Sequence, residues 1–240
     1  MSLTERLARV PAPTVGVAAM AAGAFCIAIN HSLIRFASDI PSEQIAALRF
    51  LFAIPVMLPW MLRGGGAALR TRRLGLHLVS AGLTAGCTAT LFYGLARMPL
   101  AEATALNFTV PLFTTLVAAL ILRERVDAGR WIATVAGFVG VLIILRPGFE
   151  TVRPVALMPM VAALQLAFWY LTLKRMAPTE SRLTITIYQT LFAALMLGAL
   201  ALPAWQPLTP AAFFATLAMA VSGSLGIFQM SWAIAAGDAS

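Results

Sequence analysis

Charge is what this sequence has least of. Asp, Glu, Lys and Arg make up 11% of its 240 residues, and only nine residues are acidic. A soluble domain carries about 25% charged and about 45–50% apolar residues. The 60% apolar content here is a surplus that a small water-soluble core cannot absorb, because small domains leave much of their surface in water. Cysteine and histidine are rarer still, at two each. Cys26 and Cys87 fall inside apolar runs and read as small hydrophobes, not as a disulfide or metal pair. His31 and His77 offer no HxxxH or HExxH spacing, and no phosphate-binding loop is present, which argues against an ATP-driven pump. Ser222-Gly223-Ser224-Leu225-Gly226 is close to a nucleophile elbow but lacks glycine two residues before Ser224 and has no nearby histidine. An intramembrane enzyme would need a convergent acid–base set that this chain does not supply. The net charge of +8 sits in short clusters between apolar runs, a distribution unsuited to nucleic acid. No cofactor or metal is expected, and no secretory signal is evident in residues 1–14, which hold Arg6, Arg9 and two prolines.

Long apolar runs are what the chain does have. About 20 apolar residues carry a helix across a bilayer, and eight runs qualify, at roughly 15–36, 43–62, 74–96, 100–122, 129–146, 154–174, 183–203 and 210–236. Their length and the absence of dyad alternation favour helices over a barrel. The expected fold class is therefore all-α, a polytopic membrane helix bundle. Of the 17 basic residues, twelve lie in the connections on the side of the N-terminus, among them Arg63, Arg70, Arg72 and Arg73. Four lie on the other side (Arg35, Arg97, Arg146 and Arg153), and Arg49 lies within a span. That bias places the N-terminus in the cytoplasm of a cell whose inner membrane the chain crosses several times.

An internal repeat is also legible. A shift of 140 lays Leu33, Arg35 and Ala37 on Leu173, Arg175 and Ala177, and Leu51-Phe52-Ala53 on Leu191-Phe192-Ala193. The first unit has five spans and ends near Pro147. Five is odd, so the second unit enters the membrane from the opposite side, an inverted repeat of the kind many secondary transporters carry. The expected organisation is a cytoplasmic segment over 1–14, a first repeat over 15–147 and a second, incomplete repeat of three spans over 148–240. Eight spans are thus present of an expected ten.

Several stretches carry a family likeness: Ala47-Leu48-Arg49-Phe50-Leu51, Tyr93-Gly94-Leu95-Ala96 through Ala101-Glu102-Ala103-Thr104-Ala105, and Pro111 followed by Leu122-Arg123-Glu124-Arg125-Val126 with Gly137, Gly140 and Arg146-Pro147. On these the chain resembles the EamA-type members of the drug/metabolite transporter superfamily, over residues 15–240. Gly237-Asp238-Ala239-Ser240 resembles the start of that family's ninth helix. The resemblance implies a ten-helix, two-repeat transporter with both termini cytoplasmic, and metabolite export.

Arg49 is the sharpest site candidate. It lies seven residues into its span, about 10 Å deep at about 1.5 Å per residue, where a charge usually faces a cavity or a partner. It can anchor an anionic substrate group, snorkel to the outer interface, or pair with Glu43 or Glu102. Thr104, Asn107, Pro111 and Thr114 share one helix face, and Pro111 frees the carbonyl of Asn107. Gly86, Thr90 and Tyr93 make a second stripe, Gln165, Trp169 and Thr172 a third, Ser222, Gly226 and Gln229 a fourth, while the first span adds Asn30 and His31. The expected substrate pocket draws on Arg49, Asn30, His31, Tyr93, Asn107, Pro111, Gln165, Trp169 and Gln229. The competing reading is helix–helix adhesion, which Thr, Asn and small residues such as Gly82 and Gly86 also provide. A non-transporting scaffold would then fill every stripe with packing. The expected partners are the bilayer, a small molecule with an anionic group, and protons, and a homodimer is compatible with the pattern. Glu102 is the one fair candidate for proton coupling, although a carboxylate at a helix N-terminus has a structural reason to be there.

Overall fold

The structure is a computed structural model describing residues 12–65, 69–121, 123, 126–145 and 154–237. Among these every regular element is helical. The helices are α1 (Ala12–Leu33), α2 (Ser42–Gly64), α3 (Leu74–Arg97), α4 (Leu100–Asn107), α5 (Val110–Leu120), α6 (Ala128–Leu145), α7 (Leu157–Met176), α8 (Arg182–Ala201) and α9 (Pro210–Gly237). Among the described residues five stretches are long and apolar enough to cross a membrane: Ser42–Arg63, Leu74–Arg97, Leu100–Leu120, Pro154–Met176 and Arg182–Ala204. Shorter apolar helices cover Ala21–Ala37, Trp131–Gly140 and Pro210–Gly226. Phe25, Leu62, Leu120, Ile132, Leu195 and Phe214 turn outward, a surface that lipid accommodates and water does not.

The fourth span is broken where a continuous helix was expected. Pro111 sits in the first turn of α5, where its missing N–H costs nothing. The chain before it turns through Phe108 and Thr109, with the Thr109 hydroxyl donating to the Leu106 carbonyl (2.8 Å). Pro147, Glu124 and the side chain of Gln229 lie outside the described residues.

The most extensive helix contacts join α1 with α9, α3 with α7 and α2 with α8, followed by α3 with α8 and α2 with α9. Exchanging α1 with α7, α2 with α8 and α3 with α9 maps the α2–α8 pair onto itself and the other four onto one another. The close crossings obey the same exchange. A Cβ on Gly86 would stand 2.6 Å from Gln165 Nε2, and one on Gly226 would stand 3.4 Å from Cys26 Cβ. Gly86 and Gly226 differ by the shift of 140 found in the sequence. Of the proposed pair Gly82 and Gly86, only Gly86 is at a close approach, since nothing comes nearer than 4.0 Å to Gly82.

Candidate functional site

Arg49 projects from α2 toward α9. Its guanidinium lies 4.9 Å from the Phe50 ring centroid and 5.8 Å from that of Phe92. Rings at that range attract a cation weakly. Gly223 makes room for it, because a Cβ there would meet Arg49 Nη2 at 3.0 Å and Asn30 Nδ2 at 3.2 Å. Arg49 forms no ion pair or hydrogen bond with another described residue, so neither Glu43 nor Glu102 neutralises it. Instead it opens onto a cavity of about 740 Å³ between α2, α8 and α9. Ala53, Val56, Met57, Pro59 and Trp60 of α2 form one wall, Leu183, Thr186 and Thr190 of α8 another, and Ala220, Val221 and Ser224 of α9 the third.

Arg49 and Arg182 mark the two ends of this cavity. Gln44 at the start of α2 meets Gln206 beyond the end of α8, and Tyr188 near the start of α8 meets Leu69 beyond the end of α2. The two helices are therefore antiparallel. Thr190 is level with Met57, its hydroxyl 3.5 Å from the sulfur. Eight residues back along each helix, at about 1.5 Å per residue, set the two arginines about 24 Å apart along the bundle. One small molecule can engage Arg49 or lie near Arg182, not both.

The other expected site residues divide into two groups. Asn30 is buried and its amide donates to the Met219 carbonyl at 2.6 Å, tying α1 to α9. His31 is within electrostatic reach of Arg49, as is Cys87. On the α3–α7 side, Thr90 Oγ1 is 3.1 Å from Gln165 Oε1. Trp169 packs edge-on against Tyr170, at 5.0 Å between ring centroids. Trp169 Nε1 and Asn107 Oδ1 are both buried with no hydrogen-bond partner. They are a donor and an acceptor on helices α7 and α4, which pack together. Tyr93 is covered by the Arg97 guanidinium at 3.6 Å, and Arg97 itself donates to Ser42 at the end of the span. Pro111 is exposed. Of the eight expected residues whose side chains are described, Arg49 alone is among those lining the large cavity.

The shift of 140 shows what is singular about Arg49. A shift of 140 takes Arg49 to Gln189 and Ser224 to Thr84. Gln189 donates to Thr84 Oγ1 at 2.8 Å and is satisfied. The corresponding place beside Ser224 holds an arginine with an open cavity before it. Replacing Gly223 with valine is expected to push the guanidinium out of its notch and occupy part of the cavity, abolishing ligand binding while leaving the fold intact. Equilibrium binding and monodispersity of the purified variant check this together.

Sequence reasoning missed one ionic feature. His77 and Glu180 are both buried, with Nε2 and Oε2 3.5 Å apart. That is close enough for an ion pair, though not aligned as a hydrogen bond. Glu180 lies in a connection, so a search for carboxylates inside the apolar runs could not find it.

Comparison with known proteins gives consistent matches. Residues 14–146 match the EamA-like transporter family. A riboflavin transporter of Vibrio cholerae is 32% identical over 234 residues, covering 95% of this chain and 78% of the relative. An S-adenosylmethionine uptake transporter of Rickettsia prowazekii is 33% identical over 187 residues, covering 78% of this chain and 63% of the relative. A riboflavin transporter of Rhizobium johnstonii is 35% identical over 200 residues, covering 83% and 66%. One crystal structure superposes with a TM-score of 0.69 at 19% identity, covering 94% of this chain and 78% of that one, a likeness of fold alone.

Proposed function

This chain belongs to the EamA-like transporter family, and from that premise we propose that it moves a small heteroaromatic metabolite across the membrane by alternating access, with the cavity beside Arg49 as its binding site. It is a multi-pass membrane transporter, not an enzyme. The observation that carries the site assignment is an arginine without a carboxylate partner at one end of an apolar cavity. A buried cation is costly unless something neutralises or solvates it, and a substrate oxygen is a fitting complement. The guanidinium fork suits a carboxylate or a ring carbonyl, and the apolar walls suit a flat ring. Riboflavin, in the names of two relatives, has ring carbonyls. S-adenosylmethionine, in the name of another, has a carboxylate and a purine.

The repeats over 15–147 and 148–240 are the halves that would rock against each other, and the exchange-invariant helix pairing supports that reading. With the N-terminus cytoplasmic, the Arg182 end of the cavity faces the cytoplasm. The family resemblance implied export, but the word uptake in the name of the Rickettsia relative favours inward movement. The scaffold alternative expects every polar stripe to be filled by packing. Asn30 is filled in that way, but Arg49 is not.

Counterflow in proteoliposomes tests the proposal. Vesicles preloaded with unlabelled riboflavin or S-adenosylmethionine are expected to accumulate the labelled compound transiently, for at least one of the two. No accumulation of either, from protein shown to be monodisperse and correctly inserted, defeats the substrate reading. Loading labelled substrate on each side in turn then fixes the direction.

A further inference from the structure

We propose that His77 and Glu180 form a latch that fastens the two halves of the bundle at the Arg182 end and must release in each transport cycle. The proposal rests on the transporter reading above. Five contacts converge there. Thr71 donates its hydroxyl to Glu180 Oε1 at 2.8 Å, and Glu180 Oε2 faces His77 Nε2 at 3.5 Å. Tyr188 donates to the Leu69 carbonyl at 2.8 Å while its ring lies 4.8 Å from the His77 imidazole. Arg73 donates to the Arg175 carbonyl at 2.9 Å. Together they bind the α2–α3 connection to the α7–α8 connection, and so one half to the other.

The opposite end has a matching fastening without a titratable pair. There Thr209 donates to Asp39, and Gln44 bonds the Gln206 backbone in both directions. A threonine thus meets a carboxylate across the halves at both ends. Asp39 is exposed, whereas Glu180 is 6% and His77 1% exposed at the side chain. His77–Glu180 is the buried acid–base pair at this end. The other charges on the elements around it, Arg70, Arg72, Arg73, Lys174, Arg175 and Arg182, are exposed cations.

Burial makes this pair costly to disturb. Removing one member leaves the other polar group buried without its partner, which is strongly unfavourable. Ser80 Oγ, one turn along α3, is also buried without a hydrogen-bond partner.

The experiment uses the full chain with Cys26→Ala and Cys87→Ala, its transport measured first as the baseline. In that background Thr71→Cys and Glu180→Cys are introduced together. Oxidation is expected to reduce counterflow at least tenfold relative to the reduced protein, with recovery on adding dithiothreitol and substrate binding retained. Separately, Glu180→Gln and His77→Gln are expected to change the counterflow rate measurably, while Arg72→Gln keeps the parent rate. Full-speed transport by the cross-linked protein overturns the latch, and the parent rate in both pair variants overturns the role of the pair. Should His77→Gln not fold, Glu180→Gln and the cross-link still decide, because both leave His77 in place. Absence of transport by the baseline protein would sink the transporter reading instead.

Discussion

Arg49→Ala is expected to lower transport about 10- to 100-fold, with little change in thermal stability. A hydrogen bond to a charged group contributes about 1.5–3 kcal/mol, and each 1.4 kcal/mol, roughly, is a factor of ten. The loss should appear in substrate binding, because the guanidinium is held toward an open cavity and not within a network of its own. Stability should hold for the same reason: Arg49 has only the Phe50 and Phe92 rings as close partners, and these attract a cation weakly. Arg49→Lys keeps the charge but loses the two-pronged geometry, so it is expected to recover part of the rate for a carboxylate ligand and less for a ring carbonyl. Counterflow rates for the three proteins, alongside melting curves in detergent, check the set. Full transport by both variants would remove Arg49 from the site.

Gly94→Leu is expected to be among the most damaging single changes to the fold. A Cβ at Gly94 would sit 3.0 Å from both Cγ and Cδ of Pro159. Pro159 is a ring fixed to α7 and cannot swing aside as a flexible side chain would. Gly94 is buried against it, so α3 and α7 would have to separate. Overpacking of this kind costs about 1–3 kcal/mol, and in a membrane the close approach of small residues is itself a main source of helix adhesion. Gly94→Ala should show a smaller loss. Gly137→Leu, where nothing lies within 4 Å, should be neutral. Melting temperatures and the monodisperse fraction after extraction separate the three. A Gly94→Leu protein as stable as the Gly137→Leu control would mean that the α3–α7 crossing is looser than described.

Much of the architecture was open to sequence reading. The break near Pro111 was half legible: the proline announced a missing hydrogen bond, but not that α4 would end at Asn107 and α5 restart at Val110. The polar stripes were read from spacing along one helix, and such spacing cannot say what stands opposite. Asn30 met a backbone carbonyl of α9, and Tyr93 met Arg97 of its own helix. Trp169 Nε1 and Asn107 Oδ1 were left without partners.

The sequence by itself determined that the chain crosses a membrane as helices and which family it resembles. Both follow from local properties: the length of apolar runs, the side on which arginine accumulates, and short motifs along the chain. The tertiary structure decided which polar groups are spent on packing and which remain available. Gln189 and Arg49 occupy equivalent places in the two halves, but one finds Thr84 and the other a cavity. His77 and Glu180 gain meaning only when two distant connections come together. Pairing in a low-dielectric interior depends on separations of a few ångströms between helices, and no one-dimensional pattern encodes those.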